Sequence, residues 1–101
     1  MIIYNVTTKV DWSIHDGWLQ WMKDEHIPDI LATKYFHRYQ VVRLLQVDDS
    51  DGPTYAVQYY ADSLMDCNEY ISNFADGKQQ KSIERWGNLF VEFRTLMEVV
   101  H

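Results

Sequence analysis

The sequence holds a single cysteine, Cys67, among 101 residues. One cysteine closes no internal disulfide, which excludes a disulfide-stapled scaffold and suits a reducing, cytoplasmic compartment. With Asp66 and Asn68 beside it, nothing local lowers the thiol pKa, so Cys67 reads as a small buried hydrophobe and not a nucleophile. Cations are also scarce: nine Lys and Arg stand against 15 Asp and Glu, a formal net charge of −6. A polyanion would be repelled, so nucleic acid and anionic membrane surfaces are poor partners. Lys78, Lys81 and Arg85 fall at helical spacing, and the reading there is a solvated helix face. No apolar run approaches the roughly 20 residues of a membrane span. The opening Met1-Ile2-Ile3-Tyr4-Asn5-Val6 has neither the basic start nor the apolar stretch of a secretory signal. GxGxxG, P-loop, GxSxG, HExxH and CxxC motifs are all missing, and no cofactor is expected.

What the chain does have is aromatic weight: four Trp, seven Tyr and four Phe. Tyr and Trp in excess often mark interfaces, because each offers large area and a polar tip. The length predicts one domain over 1–101 with a modest core.

Residues 2–10 alternate with period two, with Ile2, Tyr4, Val6 and Val10 on one parity, and predict a strand. Ser13 is placed to cap a helix. Ile14, Trp18, Trp21 and Met22 then form an apolar face, and Pro28 should end or kink that helix near Ile27. Residues 34–47 show no helical period and predict a long strand. Its doublets Val41-Val42 and Leu44-Leu45 suggest a bulge or burial on both faces. Asp48-Asp49-Ser50-Asp51-Gly52-Pro53 is a turn by composition, and Thr54 to Ala61 returns as a strand. Ser63 caps a second helix carrying Leu64, Cys67, Tyr70, Ile71 and Phe74. Gly77 should interrupt it, and a further piece from Gln79 should end at Gly87. Leu89 to Val100 alternates as the last strand.

The order β-α-β-β-α-β is the split βαβ pattern of ferredoxin-like α+β folds. Right-handed crossovers put both helices on one face of a four-stranded antiparallel sheet. The opposite face is expected to carry Asn5, Thr7, Gln58, Tyr60, Phe90, Glu92, Arg94 and Leu96. Soluble monomers avoid such a mixed apolar patch, and a second copy is the natural cover, so an obligate homodimer is expected.

Seven segments stand out together: Ile2-Ile3-Tyr4-Asn5-Val6-Thr7, Trp18-Leu19-Gln20-Trp21-Met22, His26-Ile27-Pro28-Asp29, Leu31-Ala32-Thr33, Tyr55-Ala56-Val57-Gln58-Tyr59, Arg85-Trp86-Gly87 and Phe93-Arg94-Thr95. With them the chain resembles a bacterial family of short proteins of unknown function in the dimeric α/β-barrel superfamily. The resemblance implies a barrel of two back-to-back sheets, one from each copy. It implies no activity and carries over no catalytic residue.

Three constellations invite chemistry. The acidic turn at 48–52 fails as a calcium loop, because an EF-hand register would put Val47 at position one and Gln58 at position twelve. His15 and His26 share a helix face but sit about 16 Å apart along it, too far to hold one ion, so no metal site is expected. His26 is placed near a helix C-terminus, where the dipole favours protonation. It could act as an acid/base or ligand contact, or simply bond the last helix carbonyls. Glu92 and Arg94, two apart on one strand face, could line a pocket with Asn5 and Gln58, or form a satisfied network at the dimer interface that Arg94 supports.

Two functions fit these features. The first is a non-catalytic homodimeric module that binds a small ligand or regulates, with His26, Asn5, Gln58, Arg94, Glu92 and Tyr4 as pocket candidates. The second is implied by the superfamily: a cofactor-independent monooxygenase or isomerase of small, often aromatic molecules, using His26, Arg94 and Tyr4 or Tyr59. A homodimeric scaffold for other proteins is the third possibility.

Overall fold

The computed structural model describes residues 1–101. Strand β1 (Ile2–Val10) is followed by a 3-10 turn (Trp12–Ile14), helix α1 (His15–Trp21), a π-turn (Met22–His26) and helix α2 (Ile27–Leu31). Strands β2 (Arg38–Arg43) and β3 (Thr54–Ala61) come next. Helix α3 (Leu64–Tyr70), a second π-turn (Ile71–Ala75), helix α4 (Asp76–Trp86) and strand β4 (Phe90–Glu98) complete the chain. The sheet order is β2-β3-β1-β4 and every neighbouring pair is antiparallel. This is the ferredoxin-like α+β fold expected from the element order.

The helices depart from expectation in an instructive way. Asp11, not Ser13, caps the first helical segment, its carboxylate accepting from the Ser13 backbone N–H at 2.8 Å and from the Ser13 hydroxyl at 2.7 Å. Pro28 neither ends nor breaks the first rod, which continues to Leu31. The Ile27 N–H reaches back five residues to the Met22 carbonyl. That wide turn takes up the place where the proline ring would meet the preceding helical carbonyl. Gly77 likewise lies inside α4, and the irregularity of the second rod is the π-turn just before it. Ser63 caps α3 as expected, its hydroxyl accepting from the Asp66 N–H at 3.1 Å. Gly87 ends α4 at φ 65°, a backbone region that favours glycine.

The predicted strand over 34–47 shortens to six residues, because Lys34 (φ 70°) and Gln46 (φ 59°) turn the backbone on either side of it. All six are exposed, since β2 is a sheet edge. The Val41-Val42 doublet therefore reflects an edge with one valine on each face, not a bulge or double burial. The acidic loop before β3 packs tightly on the end of β1. Val10 N–H donates to the Pro53 carbonyl and Trp12 N–H to the Asp51 carbonyl, both at 3.1 Å. A Cβ on Gly52 would overlap the Val10 carbonyl, so only glycine fits there.

Between sheet and helices lies an aromatic core. Phe36, delivered by the turn before β2, contacts Tyr70 (4.9 Å between centroids), Tyr59 (5.4 Å) and Tyr4 (5.7 Å). Edge-on and tilted geometries of this kind add to the stabilisation from burying each ring.

Register decides which residues share a face. Val6 pairs with Arg94, Thr8 with Glu92, Tyr4 with Leu96 and Val10 with Phe90. Directly opposed residues point the same way. Phe90, Glu92, Arg94 and Leu96 therefore lie on the helix-covered side with Tyr4, not on the open side with Asn5 and Gln58. Val91, Phe93, Thr95 and Met97 take their place on the open face, where Phe93 is 63% and Val91 69% exposed.

Candidate ligand-binding cavity

The helices leave a void of about 110 Å³ above the sheet. Beta strands supply its floor: Tyr4, Val6 and Thr8 from β1, Tyr59 from β3, Glu92 and Arg94 from β4. The roof is built by both π-turns and their flanks: Met22 and His26 from the first, Ala75 from the second, with Ile30, Tyr70, Lys78 and Gln79 beside them. A π-turn widens the helix locally and re-aims its side chains, and such turns recur at functional positions.

His26 is 8% exposed and stacks on Trp21 at 4.5 Å with an interplanar angle of 21°. Burial pushes its pKa down to about 4; Lys78 and Lys81 push the same way and Asp29 opposes them. The imidazole is thus neutral at pH 7. This reverses the expected protonation, because the rod runs on past His26 and no helix end faces it, leaving desolvation as the dominant influence. Its Nδ1 is buried and without a hydrogen-bond partner, so it does not bond the helix carbonyls.

Glu92 is half-buried against the cavity, and desolvation raises its carboxyl pKa while Arg94 pulls it back. Tyr4 is raised by burial, again opposed by Arg94. Tyr59 and Tyr70 are also pushed up by burial, so all three phenols stay neutral over the physiological range.

Two cations reach the cavity, and they are held very differently. Lys78 donates to Asp29 at 2.7 Å with only 14% of its side chain exposed, and Lys81 reaches the same oxygen at 3.2 Å. The pair ties α2 to α4 and holds the Asp29 carboxyl below its ordinary pKa. Lys78 is therefore not part of a solvated helix face. Arg94 is 41% exposed; it interacts with Tyr4 and Glu92 in the cavity, and its one carboxylate partner within 4 Å is Asp76, at 3.8 Å, a residue almost wholly in solvent.

A second, open groove of about 500 Å³ runs outside, lined by Trp21, Glu25, His26, Asp29, Lys81, Glu84 and Arg85. His26 belongs to both spaces and forms part of the wall between them.

Of the predicted site residues, the fold brings Tyr4, His26, Glu92 and Arg94 together and leaves Asn5 and Gln58 behind the sheet. Asn5 Nδ2 donates to Thr7 Oγ1 at 3.0 Å, while its Oδ1 is buried without a partner. Gln58 accepts from Gln40 at 3.3 Å. The sequence reading missed Tyr70, Asp29 and Lys78. Tyr70 was legible only as core, and the Asp29–Lys78 contact spans 49 positions, with no local pattern to mark it. The other histidines lie apart: His15 bonds the Tyr55 hydroxyl at 2.8 Å, and His37 faces Asp62 at 3.3 Å.

An antiparallel split-βαβ sheet with a polar cavity under its helices defines the class: a ferredoxin-like α+β domain. Within that class, the chain belongs to the family described as a domain of unknown function, DUF4286, which matches residues 1–100. No curated protein is significantly similar in sequence. Solved structures share the fold at low identity. A dimeric ferredoxin-like protein from an uncultured marine organism superposes at a TM-score of 0.69 with 8% identity, over 100% of this chain and 96% of the other. SnoaB, a cofactor-independent oxygenase from Streptomyces nogalater, gives 0.68 with 8% identity over 99% and 94%. An ethyl tert-butyl ether d (ethd) family protein from Bacillus halodurans gives 0.66 with 12% identity over 99% and 100%. No helix is long and apolar enough to cross a membrane.

Proposed function

We propose that this protein is a homodimer that binds a small molecule in the cavity between its sheet and its helices. One observation carries the reading: Glu92, Arg94, His26 and three tyrosines line a single void inside a core rich in aromatic rings. Ionisable groups near a protein interior cost stability unless they are paired. A ligand that pairs with them accounts for their presence, whereas a scaffold would fill the same space with side chains. The homodimer reading rests on the open sheet face, where Phe93, Val91 and Val42 are exposed and the Asn5 side-chain Oδ1 lacks a donor. The likeness to dimeric proteins of this fold supports the same reading.

Native mass spectrometry under gentle and then denaturing conditions tests both parts. The expected result is a dimer that loses a small extra mass on denaturation. A monomer would sink the dimer. A ligand-free dimer that binds no member of a small-fragment panel would sink the cavity reading.

A second reading is catalytic: proton transfer on the bound molecule, as in an isomerase or a cofactor-independent oxygenase. The specific support is a His26 held neutral at pH 7 beside the cavity, able to accept a proton. Replacing His26 with Gln should then leave binding of the co-purified ligand intact while abolishing its turnover. Equal turnover by the variant would rule this second reading out.

A further inference from the structure

We infer that the ligand is a short 2-hydroxy or 2-keto carboxylic acid, its carboxylate on Arg94 at the cavity rim and its neutral oxygen turned inward toward Tyr4, Tyr70 and Glu92. The inference rests on the reading of the cavity as a ligand site and adds the chemistry of what enters it.

Size comes first. An apolar cavity of about 150 Å³ holds benzene. By that measure 110 Å³ admits about four or five non-hydrogen atoms, the scale of a two- to four-carbon acid whose charged end stays at the rim. Polycyclic and long-chain molecules do not fit.

Charge comes second. The rim lies along β4, where the helices stop short: Arg94 is 41% exposed, and Leu96, two residues on along the same face, is 40% exposed. The Arg94 guanidinium reaches Tyr4 and faces Glu92 inside the cavity, and its only ion pair is the loose 3.8 Å approach to solvent-exposed Asp76. An exposed pair of that length is worth little, so the fork is available for a bidentate carboxylate. Lys78 is not available in the same way, because Asp29 already holds it at 2.7 Å. A cationic ligand would meet Arg94 at the entrance, and a purely apolar one would strip water from Glu92 and the phenols without replacing their hydrogen bonds.

Polarity of the interior comes third. Tyr4 and Tyr70 are neutral phenols and donate to a keto or hydroxyl oxygen. Glu92, as a carboxylate, accepts from a hydroxyl; protonated, it donates to a carbonyl. Arg94, Tyr4, Tyr59, Tyr70, His26 and Lys78 are the titratable groups that surround Glu92 in the cavity. A bound anion on Arg94 competes for the cation that opposes the upward shift of the Glu92 carboxyl, so binding should draw a proton onto Glu92.

The test is calorimetric titration and thermal shift with glycolate, lactate and pyruvate against lactamide, 1,2-propanediol and 1-amino-2-propanol, probes of similar size and different charge. The acids should saturate and raise Tm while the amide, diol and amine do not. Arg94→Gln should weaken acid binding by about tenfold or more. Titration in two buffers of different ionisation enthalpy should register proton uptake that Glu92→Gln abolishes, and this readout on the unaltered protein keeps the test valid if the Arg94 variant fails to fold. If the diol, amide or amine binds and the acids do not, the ligand class is wrong and the cavity reading stands. If none of the six binds, both fail. Acid binding without proton uptake would place the carboxylate away from Glu92 and overturn the assigned orientation.

Discussion

The imidazole of His26 lies almost flat on the indole of Trp21, 4.5 Å between centroids and 21° between planes, in the wall between the cavity and the outer groove. That arrangement removes the ring from water without giving Nδ1 a partner. It is the reason the residue titrates near pH 4 instead of near its ordinary value.

Acid sensitivity follows from it. The unfolded chain protonates His26 at about pH 6.5 and the folded protein only at about 4. Between those values the unfolded state binds more protons, so stability falls as pH falls through the window, by up to about 3 kcal/mol. Glu92, whose carboxyl pKa is raised on folding, acts in the opposite direction just above pH 4.5. Chemical denaturation at pH 7 and pH 4.5 should reveal the loss. His26→Phe, which keeps a ring on Trp21, should flatten it. An unchanged pH dependence in that variant would locate the sensitivity elsewhere.

Gly77 sits mid-helix in α4, and a Cβ there meets nothing within 4 Å. Gly77→Ala should therefore stabilise the protein by about 0.5–1 kcal/mol, through helix propensity and a less flexible unfolded chain. Urea midpoints of the two proteins decide it, and a lower midpoint would show that the glycine serves the preceding π-turn.

Gly52→Ala should do the reverse. Its Cβ would collide with the Val10 carbonyl, and backbone cannot move aside as a side-chain tip can. A loss of about 1–3 kcal/mol is expected, with β1 and the loop before β3 shifting apart. Amide exchange at Val10 and Trp12, whose N–H groups bond Pro53 and Asp51, should accelerate. Unchanged protection at both amides would contradict the close approach.

Phe93 and Arg94 are adjacent in sequence and their side chains lie on opposite faces of β4, so substitutions there test the proposed dimer and the proposed ligand site separately. Phe93→Asp places a charge on the open apolar face and should yield monomers in sedimentation velocity at micromolar concentration. Arg94→Ala should leave the dimer intact. Reversed outcomes would put Arg94 at the interface, as expected when the sequence placed it on the open face.

Much of this molecule was legible in the chain. Period-two alternation in 2–10 and 54–61, the Ser63 cap and the Gly87 stop depend on neighbours a few positions apart, and each held. Pro28 marks where the first rod becomes irregular but not how, because a π-turn lets a helix pass a proline, and whether a chain uses one depends on the packing of its sides. The run at 34–47 misled because an edge strand is not marked as such by its own residues.

His26 departs from expectation in its charge. Its pKa follows from how much water it loses, which its position along a helix does not reveal. Glu92 and Arg94 were placed together, as two residues apart on a strand must be, but on the wrong face. Both parities of β4 carry large apolar groups, with Phe90 and Leu96 on one and Val91, Phe93 and Met97 on the other, so the strand offered no preference. The Val6–Arg94 register chose, and a slip of one residue would have exchanged the faces.

By itself the sequence determined the element order, the sheet topology and the family, because these rest on periodicity, caps and handedness that act within a few residues or one crossover. Only the tertiary structure decided which side chains meet around the cavity, that His26 is neutral and which cation Asp29 holds. Those properties depend on burial and on contacts such as Asp29 with Lys78, made between residues far apart in the chain.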